Sequence, residues 1–315
     1  MKDVLEAAEK IKNMEVRGAA RIAKFAALTL KNFAKTASDE NFDHEMREAA
    51  KILLNTRPTA VSLYNAISYI MRYTGKIVEE KRQDAIRKAE EFISWVENAQ
   101  RIIGEIGERR IRDGSVVMTH CNSSSVLSIL KRAHEKGKKI EVIATESRPR
   151  WQGRLTARQL RELGIEVTLI VDSAVRYFMN DVDCVLVGAD AITANGALIN
   201  KIGTSQIALI AKESRKPFMV AAETYKFSPK TLYGELVDIE ERDAEEVAPK
   251  DLLDLGVKVR NPAFDVTPRS YIDVIITEIG VITPEMAYIV IKERLGYSAV
   301  EDEIKIDLSH FDEVD

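Results

Sequence analysis

One of the two cysteines in the chain, Cys121, stands where an apolar run ends and a helical pattern begins, in the stretch VVMTHCNSSSVLSIL. Amides in the first turn of a helix have no intrahelical partner, so they attract anions. The same field stabilises a thiolate, and it can lower the pKa of a cysteine enough for the thiol to act as a base or nucleophile. From this segment alone, a small buried side chain beside serine caps is the simpler interpretation.

Other polar residues follow apolar runs or precede helices in ways that suit proton or phosphate chemistry. Asp190 ends the run CVLVGAD, where a carboxylate can transfer protons or cap a turn. Lys201 and Gly203 lie in NKIGTS, at a helix start that suits a phosphate group and equally an ordinary N-cap. Arg17 and Arg57 each precede a helix, and a guanidinium can hold a phosphate at two points. None of these signals is specific alone, because a lone arginine at a helix end is usually just solvated.

The spacing of apolar residues divides the chain into two parts. In the first part they recur every three to four positions, which predicts helices. In the second part amphipathic helices alternate with the short apolar runs VVMTH, KIEVIAT, EVTLIVD, CVLVGAD, PFMVAAE and DVIITE. We therefore predict an α/β chain, with an N-terminal all-helical domain (1–112) followed by a Rossmann-like, doubly wound parallel-sheet domain (113–315). Ligands of such sheets bind at the carboxyl ends of the strands, where Cys121 and Asp190 are expected to meet.

Composition excludes several classes of function. The net charge of −4 offers no electrostatic footprint for DNA or RNA, whereas a small phosphorylated ligand is compatible with it. No apolar run reaches the roughly 18 residues of a membrane span, and the first residues do not resemble a signal peptide, so we expect a cytoplasmic protein without a membrane partner. Both cysteines are expected to be reduced, with Cys184 packed and inert inside a strand. The four histidines lack metal-ligand spacing, and no strand is followed by G-x-G-x-x-G, so no metal and no organic cofactor is predicted.

Seven segments in a fixed order resemble one protein superfamily. They are RGAARIA, NTRPTAVSLYNAI, THCNSSSV, ESRPRWQGRLTA, VGADAITANGALINKIGT, AAETYKF and NPAFDVTP. This superfamily contains the methylthioribose-1-phosphate isomerases, the archaeal ribose-1,5-bisphosphate isomerases and the regulatory subunits of the initiation-factor-2 exchange factor. The resemblance covers nearly the whole chain.

The isomerases of this superfamily carry a catalytic cysteine and aspartate that match Cys121 and Asp190, and the exchange-factor subunits lack the pair. The resemblance therefore implies an enzyme rather than a non-catalytic regulatory subunit. Methylthioribose enzymes usually read RGAPAIG where this chain reads RGAARIA, and they need an apolar pocket for a thioether. Here Arg148, Arg150 and Arg154 flank WQG near the expected position of the fifth carbon. The chain thus looks most like the archaeal ribose-1,5-bisphosphate isomerases, with methylthioribose-1-phosphate isomerase as the alternative.

This resemblance implies an aldose–ketose isomerase that forms ribulose 1,5-bisphosphate in nucleotide (AMP) salvage. Cys121 would take the C2 proton, and Asp190 would donate and shuttle protons. The phosphate contacts that the family motifs imply fall on Arg17, Gly18, Ala19, Ala20, Arg57, Ser123, Ser124, Ser125, Asn200, Lys201 and Lys226. For Lys226, a solvated loop lysine is the alternative. The resemblance also implies a homo-oligomer, a hexamer built from dimers in the archaeal enzymes, and a nucleotide such as AMP as effector.

Overall fold

The computed structural model describes residues 1–16, 18–57, 59–234 and 236–296. Arg17 and residues 297–315, the end of the predicted second domain, lie outside the described residues. Within those ranges, no helix is long and apolar enough to span a membrane.

The first part of the chain is helical, as its periodicity predicts. In α2 (Ala19–Thr36), Ile22, Ala26 and Leu30 repeat every four residues and are buried. Such apolar stripes meet in one core, because each helix can remove only one face from water by packing on its neighbours. The other helices of this part are α1 (Lys2–Lys12), α3 (Phe42–Leu54), α4 (Val61–Met71) and α5 (Val78–Gly107).

The second part alternates strands and helices. Its strands are β1 (Val116–Thr119), β2 (Glu141–Thr145), β3 (Glu166–Ile170), β4 (Cys184–Val187), β5 (Ala191–Ile192), β6 (Leu198–Lys201), β7 (Phe218–Ala221), β8 (Phe264–Thr267), β9 (Val274–Thr277) and β10 (Gly280–Ile282). Its helices are α6 (Ser124–Glu135), α7 (Gln152–Glu162), α8 (Val175–Phe178), α9 (Thr204–Glu213), α10 (Lys250–Asp254) and α11 (Ala287–Leu295). The six apolar runs of the sequence form β1, β2, β3, β4, β7 and β9, so each predicted strand is confirmed.

The main sheet has the strand order β10-β9-β7-β4-β1-β2-β3, and its neighbours are parallel except for β9 and β10. From β1 the chain proceeds outward through β2 and β3, and then crosses to β4, β7 and β9 on the other side. Strands β1 and β4 therefore flank the point where strand order reverses, and apolar cores cover both faces of the sheet. The predicted α/β class is confirmed, and the switch point locates the expected ligand site.

A second, three-stranded antiparallel sheet of β5, β6 and β8 is absent from the prediction. Its strands are too short for a clear alternation, and β8 joins the sheet from far downstream in the sequence. As a result Asn200 and Lys201 end a strand, and helix α9 begins only at Thr204.

The two parts of the chain pack against each other beside the switch point. Asn65 of α4 donates its amide hydrogens to the carbonyl oxygens of Tyr225 and Phe227, each at 2.8 Å. Tyr225 follows β7, yet its ring is fully buried in the apolar core of the first part. The domain boundary predicted near residue 112 stays a prediction.

Candidate active site

Cys121 lies just past the carboxyl end of β1 in a left-handed backbone conformation, with a φ of 68°. Its N–H donates to Ser147 Oγ at 2.7 Å, and its carbonyl oxygen accepts from Thr156 Oγ1 at 2.7 Å. Helix α6 begins at the third residue after it, and the Ser123 hydroxyl caps that helix by accepting from the Val126 N–H at 3.4 Å. The cysteine thus lies at a strand end and a helix start, as the sequence predicts.

Burial raises the pKa of the Cys121 thiol to about 11, and the Lys201 ammonium only partly offsets this rise. The negative charge of Asp190 acts in the same direction as burial. The expected lowering of this pKa is therefore wrong, because desolvation of the thiolate outweighs the lysine and the nearby amide. The thiol is the resting form at neutral pH.

Asp190 reaches the same edge of the sheet from β4. Gly188, just after β4, lets the backbone before Asp190 pack closely against Ser123, since a Cβ atom at Gly188 would lie only 2.5 Å from Ser123 Oγ. Burial raises the pKa of Asp190, and the charge of Glu240 adds to the rise. Three cations act against it: Lys226, Lys201 and Arg57. A carboxyl with a raised pKa is suited to donate a proton near neutral pH.

Lys201 comes from the small sheet and is buried, as is Asn200 beside it. Its Nζ donates to the Ala263 carbonyl oxygen at 2.9 Å. Because its charge acts on the pKa of both Cys121 and Asp190, Lys201 lies within electrostatic reach of the two candidate catalytic groups.

The start of helix α9 is capped from within the protein. The carboxylate of Asp265, on β8, accepts from the Gly203 N–H at 2.8 Å and from the Ser205 N–H at 3.1 Å. Burial raises the pKa of Asp265 to about 6, although both amides and Lys201 act to lower it. A carboxylate, rather than an incoming phosphate, therefore occupies the helix start that the sequence marks as a phosphate position.

Glu223 contacts two of the predicted phosphate ligands, although it is not among the site residues predicted from the sequence. It is fully buried, it pairs with Lys226 Nζ at 2.8 Å, and it accepts from Ser125 Oγ at 2.7 Å. Burial acts to raise the pKa of Glu223, but Lys226 and the Ser125 hydroxyl hold it below its ordinary value. Lys226 is therefore a buried, paired cation, and the alternative of a solvated loop lysine is wrong. Since Glu223 follows β7 at the same sheet edge, the strand-end rule could have found it.

Arg57, in the loop between α3 and α4, faces a network of charged side chains. Its Nη2 lies 2.5 Å from Glu240 Oε2, and the other carboxylate oxygen of Glu240 pairs with Arg242 at 2.9 Å. Arg242 and Arg150 both pair with Glu246, at 2.7 and 3.0 Å. Arg57 is thus engaged by a carboxylate.

Met14 contacts this network, and Gly18, Ala19 and Ala20 follow it in the chain. Gly18 caps α2 with a φ of 92°, and Ala19 and Ala20 begin the helix, so their amides belong to its first turn. Met14, just before this segment, accepts through its sulfur from the guanidinium groups of Arg150 and Arg242, at 3.4 and 3.6 Å.

The three arginines that flank WQG do not converge on one site. Arg148 and Arg154 lie over the Trp151 ring, with 4.7 and 3.6 Å between the guanidinium carbons and the ring centroid. Of the three, only Arg150 reaches the charged network. That these arginines lie near the fifth carbon of a substrate stays a prediction, with two of them stacked on the tryptophan.

His120 precedes Cys121 and ties the main sheet to the small one. Its Nε2 lies 2.8 Å from the Ile202 carbonyl oxygen, and its Nδ1 lies 2.6 Å from Thr145 Oγ1. Burial lowers the pKa of His120, so the ring is neutral, with the proton on Nε2 and Nδ1 accepting from the threonine. Among the described residues, no group of three His, Cys, Asp or Glu side chains is placed to hold a metal ion.

The family model that matches the chain describes the initiation factor 2 subunit family, and it matches residues 15–284. A curated relative from Archaeoglobus fulgidus, named ribose 1,5-bisphosphate isomerase, is 77% identical over 99% of this chain and 100% of its own length. Relatives with that name extend to 46% identity, in Haloterrigena turkmenica. A methylthioribose-1-phosphate isomerase from Acetivibrio thermocellus is 40% identical over 90% of this chain and 89% of its own.

Among solved structures, the chain is similar to one described as translation initiation factor eIF-2B from Pyrococcus horikoshii OT3. The two share 36% identity and a TM-score of 0.79, over 89% of this chain and 97% of the other.

Proposed function

The chain belongs to the initiation factor 2 subunit family, and we propose that it is an isomerase that converts ribose 1,5-bisphosphate to ribulose 1,5-bisphosphate in nucleotide (AMP) salvage. The observation that carries this proposal is that Cys121 and Asp190 follow the two strands that flank the switch point of the sheet, that the charge of Asp190 acts on the Cys121 thiol, and that Lys201 acts on both. Relatives that carry the name of this isomerase, at 77% to 46% identity, support it.

The reaction opens a ring whose anomeric oxygen carries a phosphate, and it moves a proton from C2 to C1. Asp190 gives a proton to the ring oxygen as the bond between that oxygen and C1 breaks. Cys121, as thiolate, takes the C2 proton, and the electron pair of that C–H bond forms the C1=C2 double bond of an enol. The Cys121 thiol then gives a proton to C1, while the C2 hydroxyl gives its own to the Asp190 carboxylate and becomes the ketose carbonyl, so both groups return to their starting forms.

Substrate binding favours the protonated form of Asp190. Three cations limit the rise that burial causes in the pKa of Asp190: Lys226, Lys201 and Arg57. Phosphates of a bound substrate would pair with these cations and cancel much of their effect, so the pKa of Asp190 would rise further. The protonated form that the first step requires would then be more populated.

The phosphates would bind at helix starts and at buried cations. We assign them to Arg17, Gly18, Ala19, Ala20, Arg57, Ser123, Ser124, Ser125, Asn200, Lys201 and Lys226. Because the Ser125 hydroxyl already donates to Glu223, we assign its backbone N–H, in the first turn of α6, to the phosphate. Arg57 would exchange its carboxylate partner for a phosphate.

An assay of the purified chain with ribose 1,5-bisphosphate, followed by ³¹P NMR, tests the proposal. Cys121→Ser is expected to abolish turnover while calorimetry still detects substrate binding, because a serine hydroxyl is a far weaker base than a thiolate. Cys184→Ala removes the other, buried thiol and is expected to keep wild-type turnover. Substantial kcat in Cys121→Ser would remove that cysteine from the mechanism.

The second candidate function is that of a non-catalytic initiation-factor subunit, favoured by the likeness to the structure described as eIF-2B. The same assay separates the two candidates. A chain that isomerises neither ribose 1,5-bisphosphate nor methylthioribose 1-phosphate, but binds an initiation-factor subunit tightly, would support the non-catalytic function.

We further propose a cytoplasmic homo-oligomer, with a hexamer built from dimers as its form, and AMP as an effector. Light scattering coupled to size exclusion measures the mass, and adding AMP to the assay measures activation. A monomeric mass, or unchanged kinetics with AMP, would contradict the respective proposal.

A further inference from the structure

Side-chain hydroxyls, rather than backbone groups, hold both peptide groups of Cys121. Ser147, in the loop after β2, accepts from the Cys121 N–H at 2.7 Å. Thr156, on α7, donates to the Cys121 carbonyl oxygen at 2.7 Å. The cysteine, which follows β1, is therefore fixed by two elements that neither candidate catalytic residue belongs to.

The backbone of Cys121 needs such support. A side chain with a Cβ atom is strained at a φ of 68°, and a strained conformation persists only where its surroundings over-determine it. The ladder of β1 ends at Thr119, so the sheet does not provide that support. The hydroxyls of Ser147 and Thr156 take the place of ladder partners.

Ser147 is itself held in place. It is fully buried, and its N–H donates to Asp172 Oδ1 at 2.8 Å. Its hydroxyl lies 3.3 Å from the Thr145 carbonyl oxygen, to which it donates while accepting from the cysteine. A single hydroxyl therefore links the end of β2 to Cys121.

Thr156 is also held in place. It is buried, and its Oγ1 accepts from Asn122 Nδ2 at 2.9 Å. The same Asn122 nitrogen donates to Gln159 Oε1 at 2.8 Å. The contact on the cysteine carbonyl therefore has one orientation, with the hydroxyl as donor.

We propose that Ser147 and Thr156 are positioning residues that set where the Cys121 thiol lies relative to Asp190 and the C2 proton. The inference rests on the proposed function, since it assumes that Cys121 is the base. A displacement of about 1 Å in a reacting group can cost on the order of a hundredfold in rate. Substrate binding depends on other side chains, so the loss falls on kcat.

The test compares kcat and KM for Ser147→Ala and Thr156→Val with two matched controls. Ser128→Ala removes a serine hydroxyl that donates to the Gln100 carbonyl oxygen at 2.8 Å, and Thr29→Val removes a buried helical hydroxyl that donates to the Phe25 carbonyl oxygen at 2.9 Å. We expect kcat to fall about 10- to 100-fold in the two site variants, with KM within about threefold of wild type. The controls are expected to keep wild-type kcat.

Rescue separates positioning from packing. Thr156→Ser keeps the hydroxyl and loses a methyl group, so its kcat is expected within about threefold of wild type, whereas Thr156→Ala, which loses both, is expected to match Thr156→Val. Thermal unfolding of each variant identifies any that fails to fold. If Thr156→Val fails to fold, kcat of Thr156→Ala is compared with that of Thr156→Ser instead. Loss of activity in Thr156→Ser equal to that in Thr156→Val would overturn the inference.

The failure of this inference is distinct from failure of the proposed function. If Cys121→Ser is inactive while Ser147→Ala and Thr156→Val keep wild-type kcat, the base assignment holds and the positioning role is refuted. If Cys121→Ser keeps wild-type turnover, the proposed mechanism itself is refuted, and with it the basis of this inference.

Discussion

Burial raises the pKa of both candidate catalytic groups, but it serves them differently. For Asp190 a raised pKa increases the protonated fraction, which is what a proton donor needs. For Cys121 it decreases the thiolate fraction, which is what a base needs. Lys201 opposes burial at the thiol more than the Asn122 amide does, so its charge is expected to set how reactive the cysteine is.

Alkylation of Cys121 by iodoacetamide measures this balance in a Cys184→Ala background, where Cys121 is the last thiol. Because only the thiolate reacts, the rate is expected to rise about tenfold per pH unit from 7 to 10, with a midpoint near 11. Lys201→Met removes the lowering charge and should move the midpoint upward. Lys212→Met, an exposed charge loss on α9, is the control and should leave it unchanged. An alkylation rate that stops rising near pH 8 would show that burial does not dominate the pKa of the Cys121 thiol.

Asp190→Asn is expected to lower kcat by several orders of magnitude, because an amide cannot donate the proton that opens the ring. KM should change little, since the proposed phosphate contacts remain. Steady-state kinetics with ribose 1,5-bisphosphate gives both constants. A loss confined to KM would make Asp190 a binding residue rather than an acid.

At the residue level, strand-end positions could be predicted, and long-range partners could not. Cys121 and Asp190 follow apolar runs whose type and length reveal a parallel sheet. Asp265 caps α9 from a strand much later in the chain, and nothing in the sequence around α9 signals it. Contacts of this kind arise only once the fold brings distant segments together.

At the level of elements, the segment between β7 and α10 brings the Glu240 carboxylate into contact with the Arg57 guanidinium. The guanidinium therefore lies near Asp190 before any phosphate arrives, and an incoming phosphate has to compete with the Glu240 carboxylate. Competing ionic contacts of this sort weaken apparent affinity without changing the chemistry.

Glu240→Gln is expected to lower KM for the bisphosphate about three- to tenfold, because it removes the carboxylate that competes for Arg57. The matched control is Glu241→Gln, since the neighbouring Glu241 pairs instead with exposed Arg260 at 2.5 Å. Steady-state kinetics on both variants measures the difference. An equal change in KM in both variants, or a higher KM in Glu240→Gln, would refute competition at Arg57.

Across the whole molecule, periodicity predicted every strand of the main sheet apart from antiparallel β10, together with the helices of the first part. It missed the three-stranded sheet, because β5 has two residues and β6 is continuous with a loop rather than an alternating run. It also could not show that Tyr225, which follows a strand of the second part, is buried in the core of the first. Asn65 of α4 donates to the carbonyl oxygens on either side of Lys226 and so ties this segment to the first part of the chain.

The charge distribution of the folded molecule predicts which sugar phosphate it prefers. Among the described residues of the charged network, three arginines, Arg57, Arg150 and Arg242, pair with two carboxylates, Glu240 and Glu246. A second phosphate brings about two more negative charges than a methylthio group, and burying them is costly without paired cations.

We therefore expect kcat/KM for ribose 1,5-bisphosphate to exceed that for methylthioribose 1-phosphate at least about a hundredfold, a difference of roughly 2.7 kcal/mol. The physical reason is that three arginines face two carboxylates, so the thioether would leave one positive charge of this network without a counter-charge, which costs on the order of several kcal/mol once the substrate excludes water. Parallel assays on the two substrates measure the ratio, with 5-deoxyribose 1-phosphate as a control that has neither group at C5. If the control reacts as slowly as the thioether, the missing phosphate causes the loss, whereas a faster control would point to a steric clash with the methylthio group. Equal rates on both main substrates would overturn the substrate assignment and leave the roles of Cys121 and Asp190 standing.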